Sequence, residues 1–351
     1  MTPRQTIRWR HIAAAVLLAI AMTDVPVRAC DLCAIYSATE QRESRTGFRL
    51  GVAEQYTFYG TLQNNGHEVT NPAGERINSF ITQFLAGYTF TPRLGAQLNL
   101  PLIGRAYRRQ EANKRVVDGD ETGLGDMSLL GNAVAYSDVT ENSVIRFSLL
   151  GGLKFPTGNS HRIKEELNAN QSSGCPPPVF GGGYGCGSIS SAMRLRHTVN
   201  GVQSGIHGHD LALGSGSFDG VIGTQLFGSW KRAFVSGAVQ YMLRTKGSFG
   251  YTYANDLLWS GGPGAFVLLS HQYTVGAQFL ISGETKGNDT LQGTKGNDTA
   301  ITALYLGPGF TLTWGTSLAA EIAADLPVLQ HNSSLQIVPD YRLRAGVSYR
   351  F

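Results

Sequence analysis

Nowhere in its 351 positions does the sequence carry eighteen consecutive apolar residues, so it has no stretch long enough for a membrane-spanning helix, which needs about twenty. It also lacks the marks of common catalytic sites. No serine is flanked as Gly-x-Ser-x-Gly, no His-Glu-x-x-His occurs, and no glycine-rich phosphate loop is present. A lipid hydrolase with a serine and a histidine on a barrel wall is disfavoured, because the strand alternation described below puts no histidine clearly inside a strand. Charge is sparse, at 15% of residues. The net +4 falls to +1 once residues 1–29, with four arginines and one aspartate, are set aside, which gives no basis for nucleic-acid binding.

Cysteine is scarce too, with only Cys30, Cys33, Cys175 and Cys186. A Cys-x-x-Cys haem attachment needs a following histidine, and position 34 is alanine. Cys30 and Cys33 alone would leave a metal two ligands short. Paired cysteines in an exported chain read first as disulfides, so Cys30/Cys33 and Cys175/Cys186 are disulfide candidates. No cofactor is expected.

The N-terminus reads as an export signal. Arg4, Arg8 and Arg10 precede an apolar Ile12–Met22 segment, and Val27-Arg28-Ala29 offers a small-residue cleavage site. The mature chain would begin at Cys30; acylation of that cysteine is the alternative, weakened by Arg28 and by the long polar gap after the apolar segment. Residues 30–45 form a separate segment, mildly helical from Ala34 to Arg45, lying in the periplasm or folded into a lumen.

What the sequence has in abundance is glycine, 44 residues, with aromatic and β-branched residues, a composition suited to strands. From Asp340 to Phe351 every odd position is apolar or aromatic and every even one charged or small. Three arginines share one face, aromatics flank both ends and Phe351 closes the chain, as in outer-membrane barrels, whose apolar side faces lipid. Phe351 is then the expected signal to the barrel-assembly machinery. The preceding run has the opposite parity: Leu318, Ala320, Ile322, Ala324, Leu326 and Val328 face lipid, and Glu321 and Asp325 face inward.

Similar runs near 299–313, 273–284, 256–269, 233–245, 217–229, 143–155, 124–136, 94–106, 77–90 and 46–58 bring the count to twelve. The expected fold is therefore all-β, an antiparallel transmembrane barrel of about twelve strands over residues 46–351. No extended helical periodicity follows residue 45. Short connections, including Thr91-Pro92-Arg93, Trp230-Lys231-Arg232, Ser270-His271-Gln272 and Trp314-Gly315-Thr316, alternate with long ones near 59–76, 107–123, 156–216, 246–255, 285–298 and 329–339. That alternation predicts both termini in the periplasm and the barrel in a bacterial outer membrane, in contact with its lipid.

Parity assigns Arg49, Arg105, Asp126, Arg146, Lys154, Asp219, Arg244, Glu284, Glu321, Asp325, Arg342, Arg344 and Arg350 to the lumen. Their excess of arginine would favour anions if the interior were wet; in a barrel of middling size such charges more often pair and fill it. His207-Gly208-His209-Asp210 lies in the long third loop with His161 and His197, and His207 and His209 are candidate metal ligands. Gly-Asn-Asp-Thr occurs at 287–290 and again at 296–299. Two copies of a calcium-type nonapeptide cannot stack into a roll, so a loop duplication is expected, with weak surface calcium binding as the alternative.

Three short motifs remain. Gly123-Leu124-Gly125-Asp126 opens the fourth run, Lys154-Phe155-Pro156-Thr157-Gly158 closes the fifth, and Leu213-Gly214-Ser215-Gly216-Ser217-Phe218-Asp219 opens the sixth. Their order and spacing resemble the outer-membrane family named for the phenol meta-cleavage pathway, over roughly residues 46–351. The resemblance implies a barrel and a transporter-like role toward small hydrophobic or aromatic solutes. Read from the residues alone, the same motifs supply strand breaks, tight curvature and rim charges. The other class in play is a structural or partner-binding barrel, in which the Cys30–Cys33 segment docks a periplasmic redox or metal-handling protein.

Overall fold

A computed structural model of the chain describes residues 46–111, 114–171, 204–270 and 272–351. The export signal, the Cys30–Cys33 segment, the Ala34–Arg45 stretch, Cys175, Cys186, His197 and His271 lie outside the described residues. The rest is a closed antiparallel barrel of twelve strands. These are β1 (Gly47–Asn64), β2 (Arg76–Thr91), β3 (Leu94–Gln110), β4 in two segments (Val116–Leu124 and Ser128–Val139), β5 (Ser143–Lys154), β6 (Asp219–Trp230), β7 (Ala233–Leu243), β8 (Asp256–Leu269), β9 (Tyr273–Lys286), β10 (Ile301–Trp314), β11 (Leu318–Asn332) and β12 (Leu335–Arg350). Each pairs with its sequence neighbours, and β12 closes on β1 with Arg49 opposite Arg350 and Tyr56 opposite Leu343. Closure of the last strand on the first lets strands in a medium without water satisfy their backbone groups; the Val116–Leu124 segment of β4 pairs only with β3.

The period-2 pattern sorts side chains between two surroundings. Phe48, Leu50, Val52, Phe80, Phe84, Leu98, Leu226, Val239, Phe279, Ile322, Leu343 and Val347 are exposed on the outer wall. Gln55, Gln83, Gln97, Ser148, Gln225, Ser236, Gln240 and Gln278 are buried within. This inversion of the soluble rule, apolar out and polar in, belongs to a barrel bathed in lipid.

Aromatics ring the short-turn end, where Tyr88, Phe90, Trp230, Tyr273, Trp314, Tyr349 and Phe351 all lie exposed. Tyr349 packs edge-on against Phe351 at 5.1 Å between ring centres. A second group sits higher, with Tyr341 5.9 Å from Tyr56 and 5.7 Å from Phe58. From Tyr341 to Tyr349 the strand advances about 27 Å at its usual rise, which, tilted, matches a hydrocarbon band of about 25 Å.

The strands outrun that band at the long-connection end, which is where the structure corrects the expected loop lengths. The connection expected near 329–339 is mostly strand, with a short turn at Ser333-Ser334 and Ser334 at φ 58°; here β11 pairs with β10 and β12 with β1, the β11–β12 ladder itself ending at Asp325 and Arg342. The one near 107–123 is largely ladder, Gln110 pairing with Val116 and Arg105 with Glu121. Above the apolar band polar side chains are tolerated on both faces, so alternation ends while backbone pairing continues. Gly125, Asp126 and Met127 do not open the fourth strand but interrupt it. Gly125 N–H still reaches the Pro101 carbonyl at 2.8 Å. A helix missed by periodicity, α1 (Lys164–Gln171), occupies the connection after β5, followed by the single turn α2 (Gly208–Leu211). A helix of eight residues, Lys164–Gln171, is too brief to show a 3.6-residue repeat.

Candidate functional site

The described parts of the connection between β5 and β6, residues 155–171 and 204–218, turn inward and occupy the upper lumen, and the three motifs noted in the sequence are the joint that holds them there. At the β4 break, Met127 N–H donates to Thr157 Oγ1 at 2.8 Å, Thr157 Oγ1 donates to the Gly125 carbonyl at 2.9 Å, and Gly158 N–H donates to Asp126 Oδ1 at 3.0 Å. The returning segment donates to the other oxygen, from Ser215 N–H at 2.8 Å and Ser215 Oγ at 2.7 Å. Gly158 and Gly214 meet back to back. A Cβ on Gly214 would come within 2.6 Å of the Gly158 backbone, which leaves room for hydrogen alone.

Lys154 sits at the centre. Its Nζ lies 2.5 Å from Asp126 Oδ2 and 2.9 Å from Asp219 Oδ2, and it donates to Ser215 Oγ at 2.6 Å. Asp219 in turn meets Arg244 Nη1 at 2.9 Å, and Arg244 grips Asp256 through Nε at 3.1 Å and Nη2 at 2.9 Å. All five charged side chains are at most 4% exposed. Buried charges persist only when paired and hydrogen-bonded, and removing one partner of such a pair costs about 3–5 kcal/mol.

The remaining inward residues fall into two groups. Arg342 Nη2 reaches Glu284 Oε2 at 2.9 Å, Glu284 also accepts from Tyr305 Oη at 2.6 Å, and Arg344 Nη2 donates to Asp325 Oδ1 at 2.9 Å. The ladder sets Asp325 opposite Arg342, yet the ion pairs run from Asp325 to Arg344 and from Arg342 across to β9. At the short-turn end Arg49, Arg93, Arg146 and Arg350 line one basic recess, and Arg49 donates to Gln97 Oε1 at 2.7 Å. Glu321 is half-buried on the inner face of β11. Arg105 is buried and donates to the Asp210 carbonyl of the inserted segment.

Apolar contacts complete the plug. Ile206 and Leu211 pack against Tyr59, Ile77, Tyr107 and Ile337, and Leu213 against Ile81 and Ile103. Burial of each such aliphatic side chain contributes roughly 1.5–3 kcal/mol. Glu75 ties the start of the segment to the wall, accepting from Ser204 Oγ at 2.5 Å, Gly205 N–H at 2.9 Å and Gln110 N–H at 2.8 Å.

Above this lies α1. Glu165 accepts from Arg109 Nη1 at 2.8 Å and Arg162 Nη1 at 2.5 Å. Burial alone would raise the Glu165 pKa, but the two guanidinium groups outweigh it and hold the carboxyl below its usual range. Glu166 faces the histidines: its Oε1 lies 2.9 Å from His209 Nδ1, while His209 Nε2 lies 3.2 Å from Asp210 Oδ1. Burial works against a proton on His209, and these two carboxylates overcome it, raising its pKa well above the ordinary value. His207 stacks on His209 at 5.3 Å. His161 is exposed, beside Asn159.

The Gly-Asn-Asp-Thr repeat belongs to the same interior. Asp289 accepts from Tyr251 Oη at 2.6 Å, Lys286 Nζ at 2.8 Å and Ala254 N–H at 2.7 Å. Both Asp289 and Asp298 are buried, and Lys286 already supplies Asp289 with a positive charge. Between plug and wall remains a cavity of about 120 Å³, lined among others by Tyr59, Ile77, Arg105, His209, Tyr253 and Ile337. It has space for several waters. Sequence reading missed Glu75, Glu165, Glu166, Asp256 and Asp289. All but Asp256 lie in connections, where parity carries no information; Asp256 begins β8, in the inward set with Leu258 and Ser260, where alternation could have placed it.

No family model matches the chain, and no curated protein is similar to it by sequence. Among solved structures it resembles an outer membrane channel from Pseudomonas putida F1, at 13% identity and a TM-score of 0.58, over 90% of this chain and 100% of that one. The translocator domain of the autotransporter NalP from Neisseria meningitidis gives 14% identity and 0.41, over 90% and 92%. The CymD monoaromatic hydrocarbon channel gives 8% and 0.35, over 92% and 94%. At such identities the likeness concerns the fold, which is that of bacterial outer-membrane barrels.

Proposed function

We propose that this protein is an outer-membrane channel for small solutes of hydrophobic or aromatic character, with both termini in the periplasm. The observation that carries the reading is the plug. A chain segment folded into the lumen and fastened by buried ion pairs leaves a narrow cavity of mixed lining, with Tyr59, Tyr253, Ile77 and Ile337 beside charged groups. Such a passage suits molecules with an apolar body and a polar handle. Membership of the phenol meta-cleavage family, resting on the three motifs now seen to form one joint, belongs to this reading, as do insertion through the assembly machinery with Phe351 as signal and contact with outer-membrane lipid.

The test is reconstitution of the refolded chain in planar bilayers and liposomes. Entry of phenol-sized aromatics faster than sugars of equal mass supports the proposal. A silent barrel that stays silent when Lys154→Ala loosens the joint overturns it and moves the weight to a structural or partner-binding role.

A further inference from the structure

We propose that His207, His209 and Asp210 bind a divalent first-row transition ion, Zn²⁺ in the simplest case, with Glu166 as the outer partner. Their ligand atoms all lie within 4.8 Å of one another, a cluster that a small side-chain adjustment contracts around bonds of about 2.0–2.2 Å. Two imidazoles and a carboxylate form a donor set suited to zinc, copper or nickel and unlike the all-oxygen cages of calcium.

The ring of His209 is already oriented for this role. Nδ1 of His209 faces Glu166 Oε1 at 2.9 Å, leaving Nε2 toward Asp210 Oδ1 at 3.2 Å. A carboxylate holding the far nitrogen of a ligating imidazole is the common outer arrangement of metal histidines. Asp210 is oriented independently, because its Oδ2 accepts from the His207 backbone N–H at 2.8 Å and lies 3.6 Å from His207 Nδ1. His207 and His209 are buried at 2% and 6% exposure, and stacking of His209 on the Tyr251 ring at 5.9 Å fixes its plane. The ion takes the place of the proton between Nε2 and Oδ1, and that proton leaves to solvent. Because His209 and Asp210 line the lumen cavity, three protein ligands leave a fourth position open to water or to an oxygen or nitrogen of an entering solute. The site joins α1 to the plug, two pieces separated in sequence by residues 172–203.

The test uses the full chain refolded in detergent, stripped with chelator and titrated with Co²⁺ by absorption and with Zn²⁺ by calorimetry. The expected result is one ion per chain. His207→Gln and His209→Gln each weaken affinity about 100-fold or more, and Glu166→Gln weakens it about 10–100-fold. A variant with all four cysteines changed to serine retains the site. Heat-shifted gel mobility confirms that each variant is folded; should His209→Gln not fold, His207→Gln and Asp210→Asn decide. Absence of saturable binding in the parent overturns the proposal. So does affinity that survives the histidine changes or disappears with the cysteines.

Discussion

Lys154, the last residue of β5, and Asp219, the first of β6, are ladder partners whose side chains meet at 2.9 Å. The whole plug connection leaves and re-enters the wall between them. One ion pair therefore closes the base of the inserted segment, and Asp126 at the β4 break and Arg244 at the end of β7 extend it around the lumen.

Lys154→Ala strands Asp126 and Asp219 without their shared cation. The expected cost is about 3–5 kcal/mol, read as a lower midpoint of the heat-induced gel shift, together with greater protease access to residues 159–171 and 204–217. An unchanged midpoint would show the network to be dispensable.

Gly214→Ala forces a methyl group against the Gly158 backbone and Asp126 Oδ1, each 2.6 Å away. Overpacking of this kind typically costs about 1–3 kcal/mol. The loss should appear in plug protection from protease, while Gly74→Ala, a control with no atom within 4 Å but φ at +61°, bears only local backbone strain. Equal effects on the plug from both variants would count against the close approach.

Strand parity is tested on β12. Leu343 is 46% exposed on the outer wall and Arg342 3% exposed within. Leu343→Arg should cost roughly 2–4 kcal/mol if near the midplane and impair assembly. Arg342→Ala leaves Glu284 uncompensated, and in a conducting barrel it shifts ion preference toward cations. Membrane insertion and reversal potentials separate the two; tolerance of Leu343→Arg with loss of insertion in Arg342→Ala would reverse the inner and outer faces.

Acid should release α1. The Glu165 pKa is lowered from 4.5 by Arg109 and Arg162, so its contribution is complete above about 4.5 and is lost as pH falls through the lower folded-state value. Protease access to residues 161–171 should rise over that interval, and Glu165→Gln should show the open behaviour already at neutral pH. A parent chain that stays equally protected all the way through the acid titration would contradict this.

The sequence by itself determined the barrel, its twelve strands and, in the last two of them, which residues face outward. A period-2 pattern between lipid and lumen is a local consequence of the pleat, and each strand carries it independently. The same pattern put Lys154, Asp219, Arg342 and Asp325 inward, while the motifs holding Asp126, Gly158 and Gly214 were read only as strand breaks, curvature and rim charges, not as parts of one joint. Which charges meet was decided only by the tertiary structure. Ladder register sets Asp325 opposite Arg342, yet the pairs formed are Arg344 with Asp325 and Arg342 with Glu284, because side chains several residues long reach across a lumen whose width and stagger depend on closure of all twelve strands. The plug was illegible for a related reason. Residues 204–217 have no periodicity of their own, and their place in the lumen depends on Glu75, Asp126 and the β4 break, contacts more than 85 residues away along the chain.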